Sequence, residues 1–446
     1  MVRLDFVPNT KKQQEEMLQA IGVKSIDELF ADIPQKIRLR KELALSGGLS
    51  EQEVKQHLVE LSKKNANASE YSYFIGAGAY NHFIPAAVWA LAGRSEFVTA
   101  YTPYQPEISQ GMLQSIFEWQ TVVCMLTGMD AANASTYDAA EATAEAVLMS
   151  KNLSRRTKVF VSEALNPQFK DVARTYANAN HIEFVEVKTE NGITSLKDLQ
   201  KKLDENTAGF IVQNPNFFGC IEDLKEIGEA VRANGSVFTV CVSELVSLGL
   251  LKPPGELGAD IVVGDAQSFG IPISFGGPYA GFVATKFSNV RELPGRIVGQ
   301  TVDGKGRNGY IMTLQAREQH IRREKAHSNL CTNQALFALA ATINIVLLGK
   351  KGVMQLAEQN AKLAHYAAEK ISKLKGFEVE FKSPFFNEFV VKCGNAGEVQ
   401  AGLLKKKIIG GYLLENDFPN LKNRLLFCVT EMNSREQIDE LLGALK

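Results

Sequence analysis

The sequence predicts an α/β protein with a large domain built on a mainly parallel sheet, a smaller carboxyl-terminal α+β domain and an amino-terminal helical arm. Three observations carry that expectation. Between residues 158 and 286, β-branched apolar runs of strand length alternate with helical stretches, the spacing of parallel strands joined by crossover helices. The 446 residues are 45% hydrophobic, enough to bury a large core and a smaller one. The stretch before residue 66 carries helix-start signals but too few apolar residues for a core. The expected boundaries are 1–65, 66–325 and 326–446.

In the arm, Ser25 with Glu28 and Ser50 with Glu53 have the S-x-x-E spacing in which hydroxyl and carboxylate each satisfy a free N–H at a helix start. Val54, Leu58 and Leu61 then make one stripe, which must pack on the main domain or on another chain. In YSYFIGAGAYNHFIPAAVWALAGRSEFVTA (71–100), Gly76 and Gly78 permit tight backbone paths and Pro85 can open a short helix. GAGAYN has no strand expected before it, which argues against a nucleotide loop.

YTPYQPEISQG (101–111) is the densest polar and aromatic loop of the chain. Pro103 and Pro106 restrict its backbone, so Tyr101, Tyr104, Gln105 and Glu107 are held in place. A helix is expected over about 107–127, with Leu113, Ile116, Phe117, Val123 and Leu126 inward and Gly128 as its stop. NASTYDAAEATAEAVLMS (133–150) is a loop running into an alanine-rich helix, where Asp138 and Glu141 form a D-x-x-E version of the capping box. A helix start attracts phosphate, and two carboxylates in its first turn repel it.

The strand runs are KVFVS (158–162), IEFVEV (182–187), GFIVQ (209–213), SVFTVCV (236–242), ADIVVG (259–264) and GFVATK (281–286), with SLKDLQKKL and DLKEIGEAVRANG among the helical segments between them. Ligands of such sheets lie beyond the carboxyl ends of the strands. The loops there include QNPNFFGCIEDL (213–224), Ser243 with Glu244, and GDAQSFGIPISFGGPYAG (264–281). Beyond Arg307 the chain turns basic and then apolar. Arg317, His320, Arg322, Arg323 and Lys325 read as a charged helical surface, and the apolar part up to Gly349 as a buried helix. His320 and His327 have no ligand-spaced companions. FEVEF, EFVVKC and LLFCV among helices complete the small domain, whose last helix Ser434 and Gln437 cap.

Composition excludes several classes of function. A net charge of −1 offers no basic field for nucleic acid. The six cysteines are scattered without C-x-x-C or zinc spacing, so no metal is expected and the thiols read as reduced and mostly buried. Asp5, Glu15 and Glu16 argue against an organelle presequence, and the continuous apolar part of 326–349 falls short of the roughly 20 residues of a membrane span. A soluble, cytoplasmic protein is expected. There is no G-x-S-x-G elbow, H-E-x-x-H, P-loop lysine or Rossmann G-x-G-x-x-G.

The strings YTPYQPEISQG, QNPNFFG, LVSLGLLKPPGELGADIVVGD, SFGGPYAGF, LPGRIVGQTVD, LQAREQHIRREKAHSNLCTNQAL and SPFFNEF run in order from about residue 70 to 390. With them the chain resembles the fold type I pyridoxal phosphate enzymes, and among these the first subunits, or α chains, of split glycine dehydrogenase (decarboxylating), the P-protein of the glycine cleavage system. The resemblance implies an αβ pair, usually dimerised to α2β2, that binds glycine with pyridoxal 5'-phosphate, decarboxylates it and passes the aminomethyl group to the lipoyl-lysine of H-protein. The lysine-bearing half of the family carries H-K-T-F-x-x-P-H-G-G-G-G-P. Laid over it, Ala266 and Gln267 fall under His and Lys, and Ser268, Phe269 and Pro272 under Thr, Phe and Pro. Gln267 at the lysine position leaves this chain with no catalytic residue of its own and puts the cofactor on the partner subunit.

Glu244 stands where an aspartate pairs with the pyridinium nitrogen. The chain departs from the family at Asp138-Ala139-Ala140-Glu141, Asn166-Pro167 and Ser243-Glu244-Leu245. The expected contribution is a pocket wall: Tyr101, Tyr104, Gln105 and Glu107 lining the entrance for glycine and the lipoyl arm, with Asn329 and Thr332 of SNLCTN beside them. The plain alternative is an interface loop without substrate contact in a scaffold subunit. A stand-alone pyridoxal phosphate transferase using another lysine stays open too.

Overall fold

The computed structural model describes residues 9–39, 41 and 43–446, so Asp5 lies outside the described residues. The chain forms two compact units, Met1–Ala66 and Asn67–Lys446. In the first, Ser50 and Glu53 close a reciprocal capping box on the helix α1 (Glu51–Ser62), as their spacing predicts, and Thr10 with Gln13 closes another on Lys11–Ile21. Ser25 and Glu28 do not. Ile26–Phe30 is a single 3-10 turn without a side-chain cap, because the Glu28 carboxylate accepts from the Lys24 N–H at 3.2 Å instead. Neither helix of this unit buries a residue, and Val54, Leu58 and Leu61 stay exposed.

The second unit is built on seven strands: β1 (Ala131–Ala132), β2 (Lys158–Ser162), β3 (Glu183–Val187), β4 (Thr207–Gln213), β5 (Val237–Val242), β6 (Ile261–Asp265) and β7 (Gly281–Thr285). Their order across the sheet is β1-β7-β6-β5-β4-β2-β3, and only β7 runs against its neighbours. Successive strand residues face opposite sides, so a continuous apolar run marks a sheet covered twice. In β5, Phe238, Val240 and Val242 enter one core with Trp119 and Ile227, while Val237 and Cys241 enter the other with the alanines of α2 (Ala139–Ser154) and α3 (Pro167–Ala179).

The helix after the tyrosine loop begins at Gln110 rather than 107 and ends at Thr127. Pro106 accounts for the shift, because residues 105–109 fold as a turn in which Ser109 N–H bonds the Pro106 carbonyl. A long helix, Ala335–Ile371, is broken at Gly349, whose φ of 60° no helix accommodates. The break falls at the expected end, and a second helical half continues to Ile371. By length and composition it is the one helix among the described residues that could cross a membrane, yet Ala338, Ala341, Ile345, Val353 and Ala357 on its two halves enter the sheet core. A hairpin of β8 (Ile297–Val302) and β9 (Asn308–Thr313) precedes it.

The segment from Arg317 to Lys325 is charged and exposed from His320 on, as expected, but only Gln319–Arg322 of it is α-helical. It folds as short broken turns, and the half-buried Arg317 guanidinium turns inward to the carbonyls of Leu293 and Gly295. Buried main-chain oxygens near Gly295 need donors, and a forked cation supplies several. Near the carboxyl end, β10 (Glu378–Val379), β11 (Glu388–Lys392), β12 (Tyr412–Leu413) and β13 (Arg424–Cys428) form an antiparallel sheet of order β10-β11-β13-β12. Ser434 and Gln437 cap the final helix reciprocally. A strand does precede GAGAYN, against expectation, for Ser72–Phe74 pairs in parallel with Ile408–Gly410. No helix opens until Ala86, so a nucleotide loop is still excluded. All six cysteines are free, four of them buried, with Cys124 half-buried and Cys331 exposed.

Candidate functional site

At the carboxyl ends of the parallel strands, where such sheets bind ligands, the chain has placed its own segment Gly76–Phe83. Asp265 ends β6. Its carboxylate is 2% exposed and accepts from Gln267 N–H at 2.8 Å and Ala139 N–H at 3.1 Å. Burial pushes it up to about 7 despite those bonds. Two residues on, the Gln267 amide is fully engaged: Oε1 accepts from Tyr80 N–H at 2.7 Å, and Nε2 donates to the carbonyls of Tyr80 and Ile271, each at 2.9 Å.

The glycines of GAGAYN make this approach possible. A Cβ on Gly76 would stand 2.4 Å from Glu388 Oε1, and Gly78 has a φ of +108° with Asn166 Nδ2 2.7 Å from where its Cβ would be. The buried Tyr80 hydroxyl donates to Glu388 Oε2 at 2.9 Å and lies 3.1 Å from Ser243 Oγ. Glu388 also accepts from Ala77 N–H at 2.7 Å, yet burial pushes its carboxyl up to about 8.

His82 sits between two carboxylates, with Nε2 3.1 Å from Glu244 and Nδ1 2.9 Å from Glu431. Only an imidazolium donates from both nitrogens. Burial works against that charge, but Glu244 and Glu431 prevail and hold the pKa up to about 10. The other Glu244 oxygen accepts from Val246 N–H at 3.0 Å, so the residue expected to face a pyridinium nitrogen is engaged within this chain.

The start of α2 is capped as expected by Asp138, which accepts from Glu141 N–H at 2.8 Å. The reciprocal half is absent. Glu141 turns into the protein, where its carboxyl is buried without a hydrogen-bond partner, one turn from Glu145, which accepts from Ser328 at 2.6 Å. Burial pushes both carboxyls up, so repulsion of a phosphate would come chiefly from Asp138.

Of the residues expected to line a pocket, Tyr101, Tyr104 and Thr332 are tied down. The Tyr101 side chain is 83% exposed, and its hydroxyl lies 2.9 Å from Thr332 Oγ1. Tyr104 lies against the Arg296 guanidinium, which donates to its hydroxyl at 3.3 Å, and meets His320 edge to face. Gln105, Glu107 and Asn329 are exposed. The structure thus brings Tyr101 to Thr332 and joins the Tyr101–Glu107 loop to SNLCTN.

Sequence reasoning missed Tyr80, His82, Glu388, Glu431 and Arg296. One signal was present for Glu388, a carboxylate opening an apolar strand run within SPFFNEF. His82 offered none.

The architecture superposes on sphingosine-1-phosphate lyase of Burkholderia pseudomallei with a TM-score of 0.64 at 13% identity, covering 92% of each chain. It superposes on a NifS-like protein of Rickettsia africae with a TM-score of 0.62 at 14% identity, covering 84% of this chain and 98% of that one. These define the class: an α/β protein of the fold those proteins share. Within it, the model of the glycine cleavage system P-protein matches residues 4–445. A crystal structure of glycine decarboxylase (P-protein) in inhibitor-bound form superposes with a TM-score of 0.90 at 40% identity, covering 99% of both chains. Probable glycine dehydrogenase (decarboxylating) subunit 1 of Desulforamulus reducens is 52% identical over 442 residues, 99% of each chain. That of Geobacillus thermodenitrificans is 52% identical over 441 residues, 99% of this chain and 98% of that one. The chain belongs to the glycine cleavage system P-protein family.

Proposed function

We propose that this chain is subunit 1 of a two-subunit glycine dehydrogenase (decarboxylating), active in the cytoplasm only together with a lysine-bearing subunit 2. The two pair as αβ and assemble as α2β2. Pyridoxal 5'-phosphate sits on subunit 2 and supplies the electron sink for losing the carboxylate of glycine. The aminomethyl group then passes to the lipoyl-lysine of H-protein. This chain contributes a wall to that site. Tyr101, Tyr104, Gln105 and Glu107, with Asn329 and Thr332, line the entrance for glycine and the lipoyl arm.

One observation carries the division of labour: the amide at position 267 is spent on the backbone of Tyr80 and Ile271. An amide is neither basic nor nucleophilic enough to form an imine, and both N–H donors of this one are already used. Glu244 is held by His82, and a buried carboxyl occupies the first turn of α2. These residues do not fit pyridoxal phosphate. The name "subunit 1" carried by relatives across the full chain supports a separate partner.

A scaffold role without substrate contact is the second reading, and it draws on Tyr101, whose hydroxyl is already matched to Thr332 of its own chain. Assaying glycine decarboxylation with each subunit alone and with both together tests the main reading. Activity should appear only on mixing, near equimolar ratio. Turnover by this chain alone would refute it.

A further inference from the structure

We propose that Arg296 is a positioning residue for the reaction, fixing the Tyr101–Glu107 loop to the Asn329–Asn333 loop so that both present one preformed surface. The inference rests on the reading that these loops line the substrate entrance, and it adds the residue that sets their mutual geometry.

Arg296 lies between Pro294-Gly295 and β8, in the string LPGRIVGQTVD, and is 8% exposed. Its backbone is anchored, for the carbonyl accepts from Ala134 N–H at 2.8 Å. Its guanidinium spreads over both loops. Nη1 donates to Asn333 Oδ1 at 3.0 Å, and Nη2 donates to the Cys331 carbonyl at 2.6 Å and to the Tyr104 hydroxyl at 3.3 Å, with the Tyr104 ring against its face. Glu318, itself buried, stands 3.9 Å from Nε and balances the charge. Asn333 returns the chain to its start by donating to the Ala134 carbonyl at 3.2 Å and to Ser135 Oγ at 3.1 Å. Three segments remote in sequence are therefore joined through one planar group.

Planarity matters here. A guanidinium offers several donors in a fixed fork, so the direction of each partner is set as well as its distance, whereas an ammonium is a rotatable point charge. The group is turned inward and its Nη donors are spent on Tyr104, Cys331 and Asn333, so it acts on substrate through Tyr104 and the Cys331–Asn333 segment. Loop geometry of this kind governs binding, so its loss is expected in KM more than in kcat.

The test is steady-state kinetics of Arg296→Met and Arg296→Lys in the assembled two-subunit enzyme with H-protein, alongside Tyr101→Ala and Gln105→Ala. On the entrance reading the loops admit substrate and take no part in the bond changes, so Arg296→Met should raise KM for glycine or for H-protein by roughly tenfold or more while kcat changes far less. Arg296→Lys should fall between the two, since it keeps the charge without the fork. Asn333→Ala should reproduce the KM effect, which keeps the proposal testable if Arg296→Met assembles poorly. Unchanged KM for Arg296→Met in intact complex, with Tyr101→Ala or Gln105→Ala impaired, overturns the role of Arg296 and leaves the pocket reading standing. If Tyr101→Ala and Gln105→Ala are silent, the pocket reading fails, and with it the route by which Arg296 would act.

Discussion

Gln267 closes on Tyr80 through both ends of its amide, accepting from the Tyr80 N–H at 2.7 Å and donating to the Tyr80 carbonyl at 2.9 Å. The Gln267 side chain thereby pins a piece of the chain's own backbone across the strand ends. Filling that space with polypeptide leaves buried polar groups that must all be matched, and Glu388, Ser243, Glu244 and Glu431 match them.

Placing a lysine at 267 therefore should not create a cofactor site. Gln267→Lys removes the acceptor for the buried Tyr80 N–H, and stability should fall by about 1–3 kcal/mol. Urea denaturation checks the loss. Absorbance of the variant with added pyridoxal phosphate should show no new visible band at this position.

His82 should stay charged well above neutrality. Its folded pKa is held up to about 10 from an ordinary 6.5, so the stability it contributes is fully present below pH 6.5 and is lost as pH rises through about 10. Nitrogen-detected NMR of the His82 ring should show both nitrogens protonated at pH 8. Titration near 6.5 would contradict the ion-paired arrangement.

Glu388 gives a pH dependence of the same sign in a lower window. Its carboxyl is pushed up to about 8 from 4.5, so the folded state binds the extra proton and stability falls as pH rises from 4.5 to about 8. Glu388→Gln removes this slope, and its stability relative to the parent should improve steadily across that window when followed by denaturation at each pH.

Gly78→Ala should be markedly destabilising. The substitution must adopt a φ of +108° and place a Cβ 2.7 Å from Asn166 Nδ2, so a loss of about 1–3 kcal/mol is expected in thermal melts. An alanine at Gly304, which has nothing within 4 Å, should be close to neutral by comparison.

Much of the fold was legible because it repeats. The strand runs Lys158–Ser162 and Thr207–Gln213 announce themselves by length and β-branching, and Ser50, Asp138 and Ser434 announce helix starts by local spacing. Those signals are read within a few residues. The Tyr80–Gln267 contact spans 187 positions, and the two partners of His82 lie 162 and 349 positions away, so nothing near any of these residues reveals it. Glu141 misled for a related reason. Its spacing from Asp138 fits a surface capping box, but residues 139–147 of α2 are buried on every side and the carboxyl lies inward beside Glu145.

The central claim is that this chain holds no cofactor of its own, and chemical trapping tests it most directly. The assembled two-subunit enzyme is reduced with borohydride, digested and mapped by mass spectrometry. A pyridoxyl adduct on a lysine of subunit 2, with none on any lysine of this chain, is the predicted result. A stoichiometric adduct on a lysine of this chain would contradict the account.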